Sequence, residues 1–482
     1  MKKYHLLSVL CLSLAVALLF SCKKTNQPEN ALADSTKQDA LTSAAIYYVA
    51  TNGNNGSTTP TNINTPWQTI QHALDNAPSG SIIEIRGGTY YGKVFARRRL
   101  NGTAAAPTII RSRAGETAVL DANNTGFLWD AIFTIGADAT SSAQCQYIQL
   151  QRLKLQNGYW FGVLINSYCN NIVVDGCSTF NTRASGVFCE RSSYITVKYN
   201  KIEKACQAPS PRVNGIGSQE CISISNSHHF YVHNNEVFNV TALGEGGEGI
   251  DAKNNSHTGE INSNNIHDLA RGGIYVDAYA SEAYNIKIYS NSIKRTMHGI
   301  LVAAEENGYT HDIHIYNNLS YLNSEMGFIL LDFGGGLIKN LFVENNTFYK
   351  NGTNARTGTG FSNWGGDIVL YASDPANANL NVRNNICYNS GTAYDFSIKI
   401  DQPGVTTVSN NFTFGHKAIG PLANYPIGNT ADPLLIDAAA ENFRLQAGSP
   451  ARNAGYNNSW LTTKDFDHKT RTLPVDIGAF EY

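Results

Sequence analysis

Between residues 171 and 411 a short strand repeatedly ends in Asn followed by an apolar residue. The instances are VKYNKI, VHNNEVF, INSNNIHD, IYSNSIK, IYNNLSY, VENNTFY, VRNNICY and VSNNFTF. Their last Asn residues are Asn200, Asn235, Asn265, Asn291, Asn318, Asn346, Asn385 and Asn411, and the shortest spacing is 26 residues. A second strand recurs between them, usually opened by Gly: GVLIN at 162, GVFCE at 186, CISIS at 221, GIDAK at 249, GIYVD at 273, GILVA at 299 and GFILL at 327. Its second and fourth positions are nearly all apolar, which is a period-2 strand with one face inward and positions 1, 3, 5 and 7 outward. A unit this short cannot bury an apolar face alone and must stack on its neighbours. A propeller blade would need about 40–45 residues. The repeat therefore predicts a solenoid of parallel strands, with turn Asn residues in αL geometry stacked into a hydrogen-bonded ladder.

Composition agrees. Charged residues are 15% of the 482, against a usual value of roughly 25%. Low charge with 42% hydrophobic residues argues against disorder. The Asn, Gly and Tyr richness argues against long helical bundles. A formal charge of −2 supplies no field for nucleic acid. No G-x-x-x-x-G-K-[ST] occurs and GGEG at 246–249 has no Rossmann context, so neither a nucleotide nor an organic cofactor is expected.

Residues 1–21 read as a secretory signal, with Lys2 and Lys3 before an apolar run. The ending Leu19-Phe20-Ser21-Cys22 resembles a bacterial lipobox. The resemblance implies lipidation of Cys22 and a membrane-anchored lipoprotein of the cell envelope, at the outer membrane. Residues 22–44 are polar and read as a tether, 45–430 as the solenoid, and 431–482 as a tail module packing on its end. A monomer is expected. The cysteines beyond Cys22 are odd in number and lack C-x-x-C spacing, so most are expected to be small buried hydrophobes. His228, His229 and His298 are expected to be structural.

The repeats, with IYYVATNGNNGS (46–57), TPWQTIQHALDNAPSGSIIEIRGGTYYG (65–92), APTIIRSRAGETAVLDA (106–122) and the tail motifs ENFRLQAGSPARNAG and DIGAFEY, resemble the pectate-lyase-like superfamily. The resemblance implies an all-β, right-handed, single-stranded parallel β-helix of about ten or more rungs. Ile70, Ala73 and Leu74 have the spacing of an amphipathic helix capping the open N-terminal end. The implied activity is on carbohydrate.

On the outward face, position 5 runs Asn166, Glu190, Ser225, Lys253, Asp277, Ala303, Leu331, and position 3 runs Leu164, Phe188, Ser223, Asp251, Tyr275, Leu301. Glu190, Asp251, Lys253, Asp277 and Glu305 thus share one patch, flanked by Tyr275 and Tyr279. Two chemistries fit. The favoured one is β-elimination on a uronate polysaccharide, with Lys253 as base and Glu190, Asp251 and Asp277 able to hold Ca²⁺ through oxygen ligands. Glu248, five residues before Lys253, is similar to the Glu-then-Lys pattern of the alginate lyase and chondroitinase B family, where the Lys is the base. That family carries Arg on the next rung, where this chain has Asp277. The alternative is inverting glycoside hydrolysis. Asp251 and Asp277 lie one rung and two residues apart, a diagonal of roughly 8 Å, as do Asp277 and Glu305. Glu248, Arg271, Tyr275, Tyr279 and Trp364 are expected to contact substrate. A non-catalytic glycan-binding or adhesin solenoid is the third reading. Inserts at 207–219, 241–248 and 351–366 are expected to line a groove.

Overall fold

The structure, a computed structural model, describes residues 44–138, 144–208, 219–241, 246–352, 365–388, 395–400, 406–415, 429–457 and 463–482. The signal and tether, with Cys22, lie outside the described residues.

The chain winds into a right-handed parallel β-helix with three sheets. Among the described residues sheet A has 13 strands, sheet B 12 and sheet C 11. One rung runs Ile250–Lys253 in sheet C, His257–Asn262 in sheet A and Asn265–Leu269 in sheet B, before Ile274–Tyr279 returns to sheet C. Successive rungs pair in parallel and in register. The inward residues Ile250, Ala252, Ile274, Val276, Ile300 and Val302 are fully buried in one continuous apolar stack. Each Ile or Val so buried stabilises the fold by about 2 kcal/mol. Helix α1 (Ile70–Asn76) is capped by Thr69, whose side chain accepts from the His72 N–H, and it buries Ile70, Ala73 and Leu74 against this stack, as its spacing predicts.

The Asn motif divides its work between two residues. The first takes positive φ: 56° at Asn234, 54° at Asn317, 55° at Asn384. Asn tolerates αL better than other non-glycine residues because its short polar side chain bonds locally. The second builds the ladder. In Asn200, Asn235, Asn264, Asn291, Asn318, Asn346 and Asn385, backbone N–H and Nδ2 both donate to Oδ1 of the next Asn at 2.9–3.0 Å. The ladder residue of the third repeat is Asn264. Asn265, expected from the motif, is one position late and exposed. In INSNNIHD the αL place belongs to Ser263, so an extra Asn follows the ladder residue.

The tail's Leu435, Phe443, Leu445, Ile477 and Phe480 pack on Leu319, Tyr321, Tyr349, Ile386 and Phe412 of sheet B, along the flank of four rungs. The seven described cysteines are free and buried.

Candidate functional site

Sheet C presents the site. Its opening glycines bring consecutive rungs close: a Cβ on Gly249 would sit 2.5 Å from the Gly273 carbonyl oxygen, and one on Gly273 2.6 Å from that of Gly299. Side chains just before and just after these glycines are therefore stacked at rung spacing. The outward columns follow the expected register. Phe188, Ser223, Asp251, Tyr275 and Leu301 are cross-rung partners in one column. Glu190, Ser225, Lys253, Asp277 and Ala303 form the other.

Outward does not mean solvated. Asp251 is 1% exposed, Glu248 6% and Glu220 8%. The strand Ile222–Ser225 contributes the fully buried Ser223, whose hydroxyl donates to Glu220 Oε2 at 2.7 Å. Lys253 Nζ donates to the same Glu220 oxygen at 2.6 Å and to Gln219 Oε1 at 3.0 Å. The ammonium thus takes Glu220, from the preceding rung's approach, as its ion-pair partner. Arg271 holds Glu248 at 3.0 Å, and the Tyr275 hydroxyl donates to Glu305 at 2.6 Å. Asp251 Oδ1 and Asp277 Oδ1 have no hydrogen-bond partner among the described residues.

The electrostatics follow from this packing. Burial, and after it the Glu220 carboxylate, push Asp251 well above the ordinary carboxylate range, with Lys253 opposing. Burial and then Glu305 push Asp277 up to about 7. Glu305 and Glu248 are raised by burial, with Tyr275 and Arg271 respectively opposing. Burial draws Lys253 down, but Glu220, Asp251 and Asp277 together outweigh it and hold the ammonium above its ordinary range. The expected base is thus kept protonated and occupied, which is the wrong state for abstracting a proton.

Glu190 is separate from this cluster. It stands three rungs from Asp277 in its column, about 14 Å, and pairs with Arg191 at 3.3 Å. No three His, Cys, Asp or Glu groups among the described residues converge as a metal site. The Lys253 ammonium already stands among Glu220, Asp251 and Asp277. The residues do not fit the Ca²⁺ site expected of Glu190, Asp251 and Asp277. Tyr279 is 54% exposed, beside Glu305 on the next rung. Trp364 and most of the three inserts lie outside the described residues.

No protein-family profile matches the chain. A stretch of 78 residues is 38% identical to pectate lyase PEL9 of Emericella nidulans, covering 16% of this chain and 18% of that protein. The chain therefore matches under a fifth of that relative's length. It is 22% identical to protein YwoF of Bacillus subtilis over 87% of this chain and 94% of the other. Among solved structures, XylC in complex with xylose superposes with a TM-score of 0.55 at 10% identity, covering 90% of this chain and 98% of its own. That likeness is one of fold, and chemistry has to be argued from the site.

Glu220 and Gln219 escaped the sequence reading. The signal was present: Glu220 precedes Cys221 as Glu248 precedes Gly249, one place before the repeat's opening residue. A periodic reading begun at the glycine starts one residue too late to see it.

Proposed function

We propose that the protein hydrolyses a glycosidic bond of a polysaccharide, with Asp251 and Asp277 as the acid–base pair of an inverting mechanism. The observation that carries this is two outward carboxyls on the diagonal of adjacent rungs, each with an oxygen left unbonded among the described residues. Their estimated separation of about 8 Å falls within the range of about 6.5–9.5 Å that leaves room for a water. The roles divide by environment. Asp251, the more deeply buried of the two and pushed above the ordinary carboxylate range by that burial, gives its proton to the leaving glycosidic oxygen. Asp277, poised near 7, takes a proton from the water whose oxygen bonds the anomeric carbon as the glycosidic bond breaks. Lys253 and Glu220 form a fixed pair that sets the field at both carboxyls.

The local identity to a pectate lyase supports a second reading, β-elimination on a uronate glycan. In it Lys253, held protonated, faces the uronate carboxylate, Asp277 removes the α proton, and the β C–O bond breaks as the C=C bond forms, the departing oxygen taking its proton from Asp251. A panel of pectin, alginate, glycosaminoglycan and neutral glycans separates the two. New reducing ends without an unsaturated chromophore mean hydrolysis; the chromophore means elimination. Full activity in both Asp251→Asn and Asp277→Asn would sink either version of the carboxylate chemistry. The lipid anchor at Cys22 and an envelope location remain part of the proposal, and labelling of the exported chain with radioactive palmitate, abolished by Cys22→Ser, tests them.

A further inference from the structure

The outward column that carries Asp251 continues toward the N-terminus through Ser223 to Phe188 and Leu164. There the outer face of sheet C turns aromatic. Phe161 and Phe188 stack with ring centroids 4.7 Å apart, backed by the buried Trp160, Ala131 and Ala184. Over them lies Trp129, its ring 5.7 Å from Phe161 and 5.8 Å from Phe188, and 47% exposed. Its backbone holds φ 70°, in the left-handed region that a bulky residue rarely adopts. The turn is braced into that shape: Asp130 accepts from the Phe127 N–H at 2.8 Å and from Lys93 Nζ at 2.7 Å. Strain of this kind persists where surrounding bonds over-determine it, and it gathers at binding sites. An indole held half-bare on a rigid aromatic base has large contact area and little side-chain freedom left to lose.

We propose that Trp129 is a sugar-stacking subsite, taking the apolar face of a pyranose ring of a glycan that lies along sheet C. Phe188 is two rungs from Asp251, about 10 Å, within the reach of a short oligosaccharide bound at both places. The polar rim suits hydroxyls: Lys93 lies 5.9 Å from the Phe127 ring centre, and Arg183 caps Tyr159 at 4.8 Å. The subsite rests on the glycan reading of the carboxyl site and gives that site a direction, with the chain running parallel to the helix axis.

The test is electrophoretic retardation of the full chain in gels containing xylan, polygalacturonate, alginate or laminarin, in an Asp277→Asn background so that the glycan is not consumed. At least one polysaccharide should retard the protein. Trp129→Ala should weaken that retardation about tenfold and Trp129→Phe should largely preserve it. In the catalytically intact protein Trp129→Ala should raise KM for the same polymer about tenfold and leave kcat unchanged. Trp129-dependent retardation without any cleavage keeps the subsite and removes the hydrolytic reading. Asp277-dependent cleavage with retardation and KM indifferent to Trp129→Ala does the reverse. No retardation by any of the four, or a dimer in light scattering that Trp129→Ala dissolves, overturns the subsite.

Discussion

Two stacks of polar side chains run along this solenoid, one wholly hidden from water and one partly so. In the Asn ladder every amide is at most 2% exposed and meets a partner on each side: Asn291 donates to Asn318 Oδ1 and to the Ile261 carbonyl and accepts twice from Asn264. In the sheet C patch the buried groups are charged or chargeable, and two oxygens are left without partners among the described residues. The ladder is neutral and self-complementary, so adding a rung satisfies the rung before it. The patch is neither, since Glu220, Asp251, Asp277 and Glu305 outnumber the cations Lys253 and Arg271 around it. A buried polar array stabilises when its members are satisfied and is costly when they are not. The difference separates scaffold from site without reference to any known enzyme.

The largest expected effect breaks the patch. Asp277→Asn should lower turnover on the responsive polysaccharide about a thousandfold, with circular dichroism unchanged. The same substitution should alter stability in a pH-dependent way. Asp277 has its folded pKa raised from 3.8 to about 7, so the native state binds a proton that the unfolded chain has already released. Its contribution is greatest below 3.8 and is lost as pH rises toward 7, on the order of 4 kcal/mol across the window. Melting temperature measured from pH 4 to 7 should therefore lose a falling component in Asp277→Asn. Coincident wild-type and variant slopes would show that Asp277 is solvated and ordinary.

Breaking the ladder should do the opposite, costing stability and sparing chemistry. Asn291→Ala leaves the Ile261 carbonyl and both Asn264 donors without their partner, which should cost about 3 kcal/mol in urea unfolding. Steady-state turnover on the folded fraction should be unchanged. A cost below about 1 kcal/mol would mean that neighbouring rungs close the gap and that the ladder is decoration.

Much of this fold was legible because a stacked repeat writes its geometry into spacing. Gly249, Gly273 and Gly299 mark where rungs approach too closely for a Cβ, and the alternation after them gave both outward columns in the register found. The site was legible as an address and not as chemistry. Periodicity shows that Asp251 points away from the core, but its 1% exposure comes from whatever closes over sheet C, which no local pattern encodes. For the same reason Lys253 looked like a base. Its partner Glu220 is 33 residues away, and only packing sets the 2.6 Å contact that holds the ammonium charged. Trp129 lies before the recognisable repeats begin, in a turn that carries no motif.

Ser223 tests the comparison at its narrowest point, because it is neutral and fully buried like a ladder residue yet belongs to the patch. Ser223→Ala removes one hydroxyl donor from Glu220 and leaves Lys253 as the remaining partner at that oxygen. If the patch behaved like the ladder, the loss would appear as stability alone, about 1–2 kcal/mol for a bond to a charged group. The patch predicts a different division. Glu220, losing its neutral donor, leans harder on Lys253, so less of the ammonium's field reaches Asp277. The acidic limb of kcat/KM should then move upward from about 7, while urea stability falls by no more than about 1 kcal/mol. A pH–rate profile superimposable on the parent's, with the whole effect in unfolding, would place Ser223 and Glu220 in the scaffold and shrink the site to Asp251, Asp277 and Glu305.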